Sequence, residues 1–74
     1  MVSTTLDTLG KKCPMPVLMA KKELARLAPG DTLVVLADDA GALKDMPALV
    51  KKLGDELVST DQDGSRITFA IRKH

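Results

Sequence analysis

Hydrophobic and polar positions alternate with different periods along the chain, and each change of period marks an element. Thr5 to Leu9 alternates weakly, as a short strand does, and Gly10 closes it. From Pro14 to Ala28 the spacing predicts a helix. At 100° per residue, Val17, Ala20, Leu24, Leu27 and Ala28 fall on one face. Pro29-Gly30-Asp31 is stop-and-turn punctuation. Thr32 to Ala37 is a continuous apolar run, the pattern of a strand in the interior of a sheet. Asp38 and Asp39 offer N-caps to a second helix, in which Leu43, Met46, Leu49, Val50 and Leu53 keep helical spacing and Gly54 supplies the stop. Pro47 removes a backbone donor and restricts Met46, so a loose first turn is expected before it, with Asp45 capping the regular part. Glu56 to Thr60 and Arg66 to Arg72 read as two strands around an Asp61-Gln62-Asp63-Gly64 turn. The last strand points Ile67, Phe69 and Ile71 inward, and Arg66, Thr68 and Arg72 outward.

The order is βαβαββ, which predicts an α+β fold built as a two-layer α/β sandwich. A mixed four-stranded sheet carries two helices on one face, with parallel crossovers around the helices and then an antiparallel hairpin. The other face is expected to be solvated. With no linker, repeat or low-complexity tract, residues 1–74 are expected to form a single domain, near the size where burial only just offsets chain entropy. Phe69 is the only aromatic residue, so the core must be mainly aliphatic.

Composition narrows the function. At 45% hydrophobic and 28% charged residues the chain is globular in character, and its net charge of +1 speaks against a general polyanion binder. Single-strand binders need aromatic stacking platforms that are missing here, so no direct nucleic-acid partner is expected. The longest aliphatic run, Leu33 to Ala37, is too short to span a membrane. Met1 to Thr5 has no basic region followed by an apolar stretch, and one cysteine cannot form an intrachain disulfide. A reducing cytoplasm is the expected location. One cysteine and one terminal histidine, His74, also argue against a structural zinc site, and Asp38-Asp39 reads as capping rather than metal binding.

The candidate chemistry lies in Cys13-Pro14-Met15-Pro16, whose cysteine is the only one in the chain. It stands where the first helix is expected to begin. A helix N-terminus presents unpaired N–H groups and partial positive charge, which favour a thiolate over a thiol. Pro14 at the first helical position costs no helix bond, and the N–H groups of Met15 and Val17 are expected to face the sulfur. Lys11 and Lys12 add positive charge. Thiolates in such settings titrate at roughly 3.5 to 7.5 instead of about 8.5. The bland reading is a small buried hydrophobe, but two adjacent lysines do not suit an apolar site. Pro14 and Pro16 then shape the turn, and Lys12 assists electrostatically. His74, the only histidine, is unsuited to a Cys–His catalytic pair.

On the same helix Met15, Met19, Lys22 and Arg26 cluster within roughly 60°, opposite the Val17–Leu24 face. Two outward methionines edged by positive charge read as a partner-docking patch, against the alternative that they pack on a neighbouring loop. Asp45 and Pro47 read first as a cap and a pre-set turn. A second reading adds Asp45 to the partner surface, because that helix start falls at the same sheet edge as Cys13. Asp61, Asp63 and Gly64 are turn chemistry.

Taken together these residues resemble the TusA-like (SirA-like) sulfur carriers. The resemblance runs nearly end to end: Leu6-Asp7, Gly10, Cys13-Pro14-Met15-Pro16-Val17, Lys21-Lys22, Pro29-Gly30, Leu36-Ala37-Asp38-Asp39, Asp45-Met46-Pro47, Glu56-Leu57-Val58 and Ile71-Arg72-Lys73. Cys-Pro-x-Pro is the specific part. The resemblance implies a cytoplasmic protein that carries sulfur as a persulfide on Cys13, with no other cofactor. It implies loading by a cysteine desulfurase or rhodanese-type donor. Delivery would be to an acceptor protein in tRNA thiolation, molybdenum-cofactor synthesis or sulfur oxidation. Some relatives carry another cysteine after the Leu-Asp pair, where this chain has Thr8. The expected product is a monomeric relay component rather than a stand-alone enzyme. The rival reading is a regulatory or adaptor module acting through mixed disulfides or surface docking.

Overall fold

A computed structural model describes residues 2–12 and 14–74; Cys13 lies outside the described residues. Six elements follow in the order β1 (Ser3–Asp7), α1 (Met15–Leu24), β2 (Thr32–Ala37), α2 (Ala42–Leu53), β3 (Glu56–Asp63) and β4 (Arg66–Arg72). The four strands form one mixed sheet in the order β1-β2-β4-β3. β1 runs parallel to β2, while β4 is antiparallel to both β2 and β3. This is the α+β arrangement expected from the pattern, with both helices on one face.

The register explains the burial. Leu33 and Val35 of β2 stand opposite Ile71 and Phe69 of β4, and Ala37 opposite Ile67. All six are essentially inaccessible and pack with Ala20 and Leu24 of α1 and Ala42, Met46, Leu49 and Val50 of α2. Leu6, Val17, Leu27 and Leu57 fill the margin of this cluster. The alternate positions Val34, Leu36, Thr68 and Ala70 share the other face and are only half-buried. A period of two separates the two sets.

Four boundaries differ from the sequence expectation, each for a tertiary reason. The first strand is Ser3–Asp7, two residues earlier than the alternation suggests, because its partners in the parallel ladder are Thr32 to Leu36. Helix α1 stops at Leu24 rather than Ala28. Tighter bonds follow, from the Arg26 N–H to the Glu23 carbonyl (3.0 Å) and from the Leu27 N–H to the Leu24 carbonyl (3.2 Å), and Pro29 disfavours helical geometry at Ala28. Helix α2 has no loose first turn. It runs through Pro47 from Ala42, with Asp45 inside its first turn rather than capping a later start. The missing Pro47 donor would have served the carbonyl of Leu43, an exposed residue, while fully buried Met46 anchors the segment. Finally, Asp61 to Asp63 belong to β3, so the hairpin turns at Gly64-Ser65, with Gly64 at φ 62°.

The capping residues also differ. Gly41 occupies the N-cap of α2 with no side-chain cap bond. Asp39 Oδ1 accepts from the Gly41 N–H (3.2 Å), and Asp38 turns away to another loop. At the other helix end Gly54 adopts φ 76°, and its N–H and that of Asp55 close on the carbonyls of Lys51 and Val50, the glycine stop expected from sequence.

Asp31 is the clasp at the end of the sheet away from Gly10. Its Oδ2 accepts from the Ala28 N–H (3.0 Å) and its Oδ1 from Val2 (3.1 Å), while its backbone carbonyl accepts from Lys73 (2.8 Å). Donation by Ala28, then by Val2, holds the carboxyl below its ordinary value of 3.8, against a smaller opposing effect of burial. A folded-state value below the unfolded one stabilises the fold above the unfolded value, and that contribution is lost as pH falls through the folded one. The urea midpoint of the natural protein is therefore expected to fall below about pH 4 more steeply than that of Asp31→Asn. Parallel pH profiles for the two proteins would remove this role from Asp31.

Candidate functional site

The segment around Cys13 is built at the carboxyl ends of the parallel pair β1 and β2, the place where open parallel strands leave room for a ligand or a reacting group. Thr8, immediately after β1, is fully buried. Its N–H and its Oγ1 both donate to the Leu36 carbonyl, at 2.8 and 2.5 Å. Where some relatives carry a second cysteine, this chain therefore has a hydroxyl that ties the start of the loop to β2. Asp7 Oδ1 accepts from the Leu9 N–H (2.9 Å), and the Thr8 carbonyl accepts from Lys11 (3.1 Å).

Beyond Thr8 the loop meets the segment after β2. The Gly10 N–H donates to Asp38 Oδ2 at 2.9 Å, across 28 positions of sequence. Gly10, Lys11, Lys12, Asp38 and Asp39 then line a cavity of about 530 Å³. Its lining mixes two cations with two carboxylates, and Lys12 leads directly into Cys13. A smaller cavity of about 290 Å³, lined by Gly30, Glu56, Arg72, Lys73 and His74, lies at the opposite end of the strands.

On the far side of Cys13, Pro14 is the N-cap of α1 rather than its first helical residue; Met15 takes that position and Pro16 the next. Pro14 is exposed and Pro16 is fully buried, so the second proline plugs the helix start into the fold. The Met15 N–H donates to the Lys12 carbonyl at 2.8 Å. The expectation that the N–H groups of Met15 and Val17 face the sulfur falls on Cys13, which lies outside the described residues. Pro16, the second helical residue, has no N–H. A helix start of this kind carries partial positive charge. The expected place of Cys13 itself lies outside the described residues.

The docking residues are distributed less evenly than the helical wheel suggests. Met15 is 45% exposed and Lys22 is exposed, but Met19 is half-buried on the flank of α1. Arg26 lies past the end of the helix and is exposed, 4.0 Å from Glu23. Leu18, one turn after Met15, is 52% exposed and lies between Met15 and Lys22 on the same face. Leu9 and Leu43 are exposed as well, in the loop after β1 and the first turn of α2. The sequence reading missed all three. Leu18 was visible in principle, since it follows Met15 by three residues and precedes Lys22 by four. Asp45 belongs to the first turn of α2, at the same end of the sheet as the Gly10–Lys12 loop.

Among the described residues, no group of three or more His, Cys, Asp or Glu side chains is placed to hold a metal ion. Among the described residues, no helix is long and apolar enough to cross a membrane.

Comparison with known proteins agrees with this layout. Residues 4–73 match the family described as Sulfurtransferase TusA. The crystal structure of a SirA-like protein from Desulfitobacterium hafniense superposes with a TM-score of 0.83 at 31% identity, over 93% of this chain and 95% of that one. The β1–α1 loop with its Cys-Pro-x-Pro sequence, the two-layer fold and a match spanning nearly the whole chain lead to one conclusion: this chain belongs to the TusA sulfurtransferase family.

Proposed function

We propose that this protein carries sulfur as a persulfide on Cys13, within the general sulfur-carrier role of its family. The observation that carries the reading is positional. The only cysteine of the chain joins Lys12, on the wall of the basic and acidic cavity, to Pro14, the cap of α1. Positive charge at Lys11, Lys12 and the helix start favours the thiolate, which is the attacking species.

The chemistry balances without an oxidant or reductant. The Cys13 thiolate attacks the terminal sulfur of a donor persulfide, R–S–SH. A new S–S bond forms at Cys13, the donor's S–S bond breaks, and the donor leaves as its thiolate. Delivery reverses the roles: an acceptor nucleophile takes the terminal sulfur and Cys13 leaves as thiolate. Stabilised negative charge at Cys13 helps the second step as well, since a thiol of lower pKa departs faster. Loading falls to a cysteine desulfurase or rhodanese-type donor. The acceptor belongs to tRNA thiolation, molybdenum-cofactor synthesis or sulfur oxidation. Met15, Leu18 and Lys22, with Met19 and Arg26 at the margin and Asp45 across the loop, supply the surface on which partners dock.

Intact-protein mass spectrometry tests the reading. Reduced protein incubated with a cysteine desulfurase and cysteine is expected to gain about one sulfur atom, and reductant should remove it. A parallel incubation with a rhodanese and thiosulfate covers the other donor class. No gain in either would overturn the proposal. In the same assay the double variant Lys22→Glu, Arg26→Glu is expected to load several-fold more slowly with an unchanged melting temperature. Loading at the natural rate would take the docking role from those two residues.

A further inference from the structure

We propose that Asp38 is a positioning residue for the thiol loop, clamping Gly10 so that the chain enters Cys13 in one geometry. The functional consequence rests on the carrier reading above; the clamp itself does not. Among the described residues, the bond from the Gly10 N–H to Asp38 Oδ2 (2.9 Å) is the last tie between this loop and another element before Cys13. The earlier ties, both to the Leu36 carbonyl, stop at Thr8.

Gly10 needs such a tie. It stands at φ +81°, where only glycine is at ease, and among the described residues beyond its chain neighbours no heavy atom lies within 4 Å of the place a Cβ would take. Packing therefore does not hold this residue, and glycine is the residue with most backbone freedom to lose. Asp38 can hold it because it directly follows β2, whose Leu33, Val35 and Ala37 are all fully buried. The carboxylate transmits the rigidity of the central strand to the loop through a charge-assisted bond, stronger than a neutral one. Lys11 and Lys12, which line the cavity with Asp38, follow Gly10 directly and take their placement from it. Sequence reading treats Asp38 as a helix cap; the structure gives that carboxylate a different partner.

Asp38→Asn keeps an oxygen that can accept from Gly10, whereas Asp38→Ala removes it, and the pair separates the bond from mere occupancy. With a desulfurase and cysteine, Asp38→Ala is expected to lower the maximal loading rate roughly tenfold. The half-saturating carrier concentration should stay within about twofold, and Asp38→Asn should recover most of the rate, because small misplacements of a reacting group are costly. Amide hydrogen exchange at Gly10 is expected to accelerate in Asp38→Ala and to stay slow in Asp38→Asn. Equal Gly10 exchange in all three proteins overturns the clamp. A wild-type loading rate for Asp38→Ala, or a rate for Asp38→Asn as low as that of Asp38→Ala, overturns the positioning role. Failure of the natural protein to load at all counts against the carrier reading, and the exchange data then still decide the clamp.

Discussion

Cys13→Ser is expected to reduce end-to-end sulfur transfer, from donor through this protein to acceptor, to the level without the protein. That is a loss of about 10³-fold or more, since removing a nucleophile leaves only what binding contributes. A serine hydroxyl stays protonated at neutral pH and forms no persulfide, whereas a cysteine thiolate is intrinsically nucleophilic. The chain has no other cysteine to substitute for it, and Thr8 occupies the place where some relatives have one. The substitution should leave the far-UV circular dichroism spectrum and partner binding unchanged. These two readouts separate a carrier from an adaptor. If the variant retains full cellular activity, the surface alone acts and the persulfide route is wrong. If it binds partners but passes no sulfur, the thiol is the carrier.

Phe69→Ala is expected to remove most of the stability of the fold. Phe69 is fully buried at the centre of β4, opposite Val35 on one side and Thr60 on the other. It is the largest side chain of the core and the only aromatic one. Truncating a buried Phe costs about 3–5 kcal/mol, part transfer free energy and part the cavity left behind. Domains hold only about 0.05–0.15 kcal/mol per residue, so for a chain this short the loss is comparable with the whole margin. Phe69→Leu, which keeps most of the volume, should cost about 1.5 kcal/mol or less. With no Trp or Tyr in the chain, urea transitions are followed by circular dichroism. A midpoint for Phe69→Ala close to that of Phe69→Leu would show that the core closes over the gap.

Much of this was readable in the residues. Ile67, Phe69 and Ile71 alternate because β4 has one face buried under the helices and one only half-buried, and a period of two survives any packing detail. Gly54 was readable as a helix stop because only glycine enters the left-handed region cheaply. The docking face was half readable: the wheel found Met15 and Lys22 but took Met19 for an outward residue and passed over Leu18. A wheel gives angles around one helix. It does not say how far the neighbouring elements reach around it.

The element order, the strand faces, the glycine stop and the single cysteine follow from the residues alone. Each of these depends on local geometry or on residue identity alone. The tertiary structure decided which strand lies beside which, and so brought the Gly10 loop against Asp38 across 28 positions. It let buried Met46 carry a helix through Pro47, and it turned Asp38 from a cap into a clamp. It also gave the Met15 N–H to the Lys12 carbonyl. Hydrogen bonds between loops depend on where rigid strands end in space, and no local pattern encodes that.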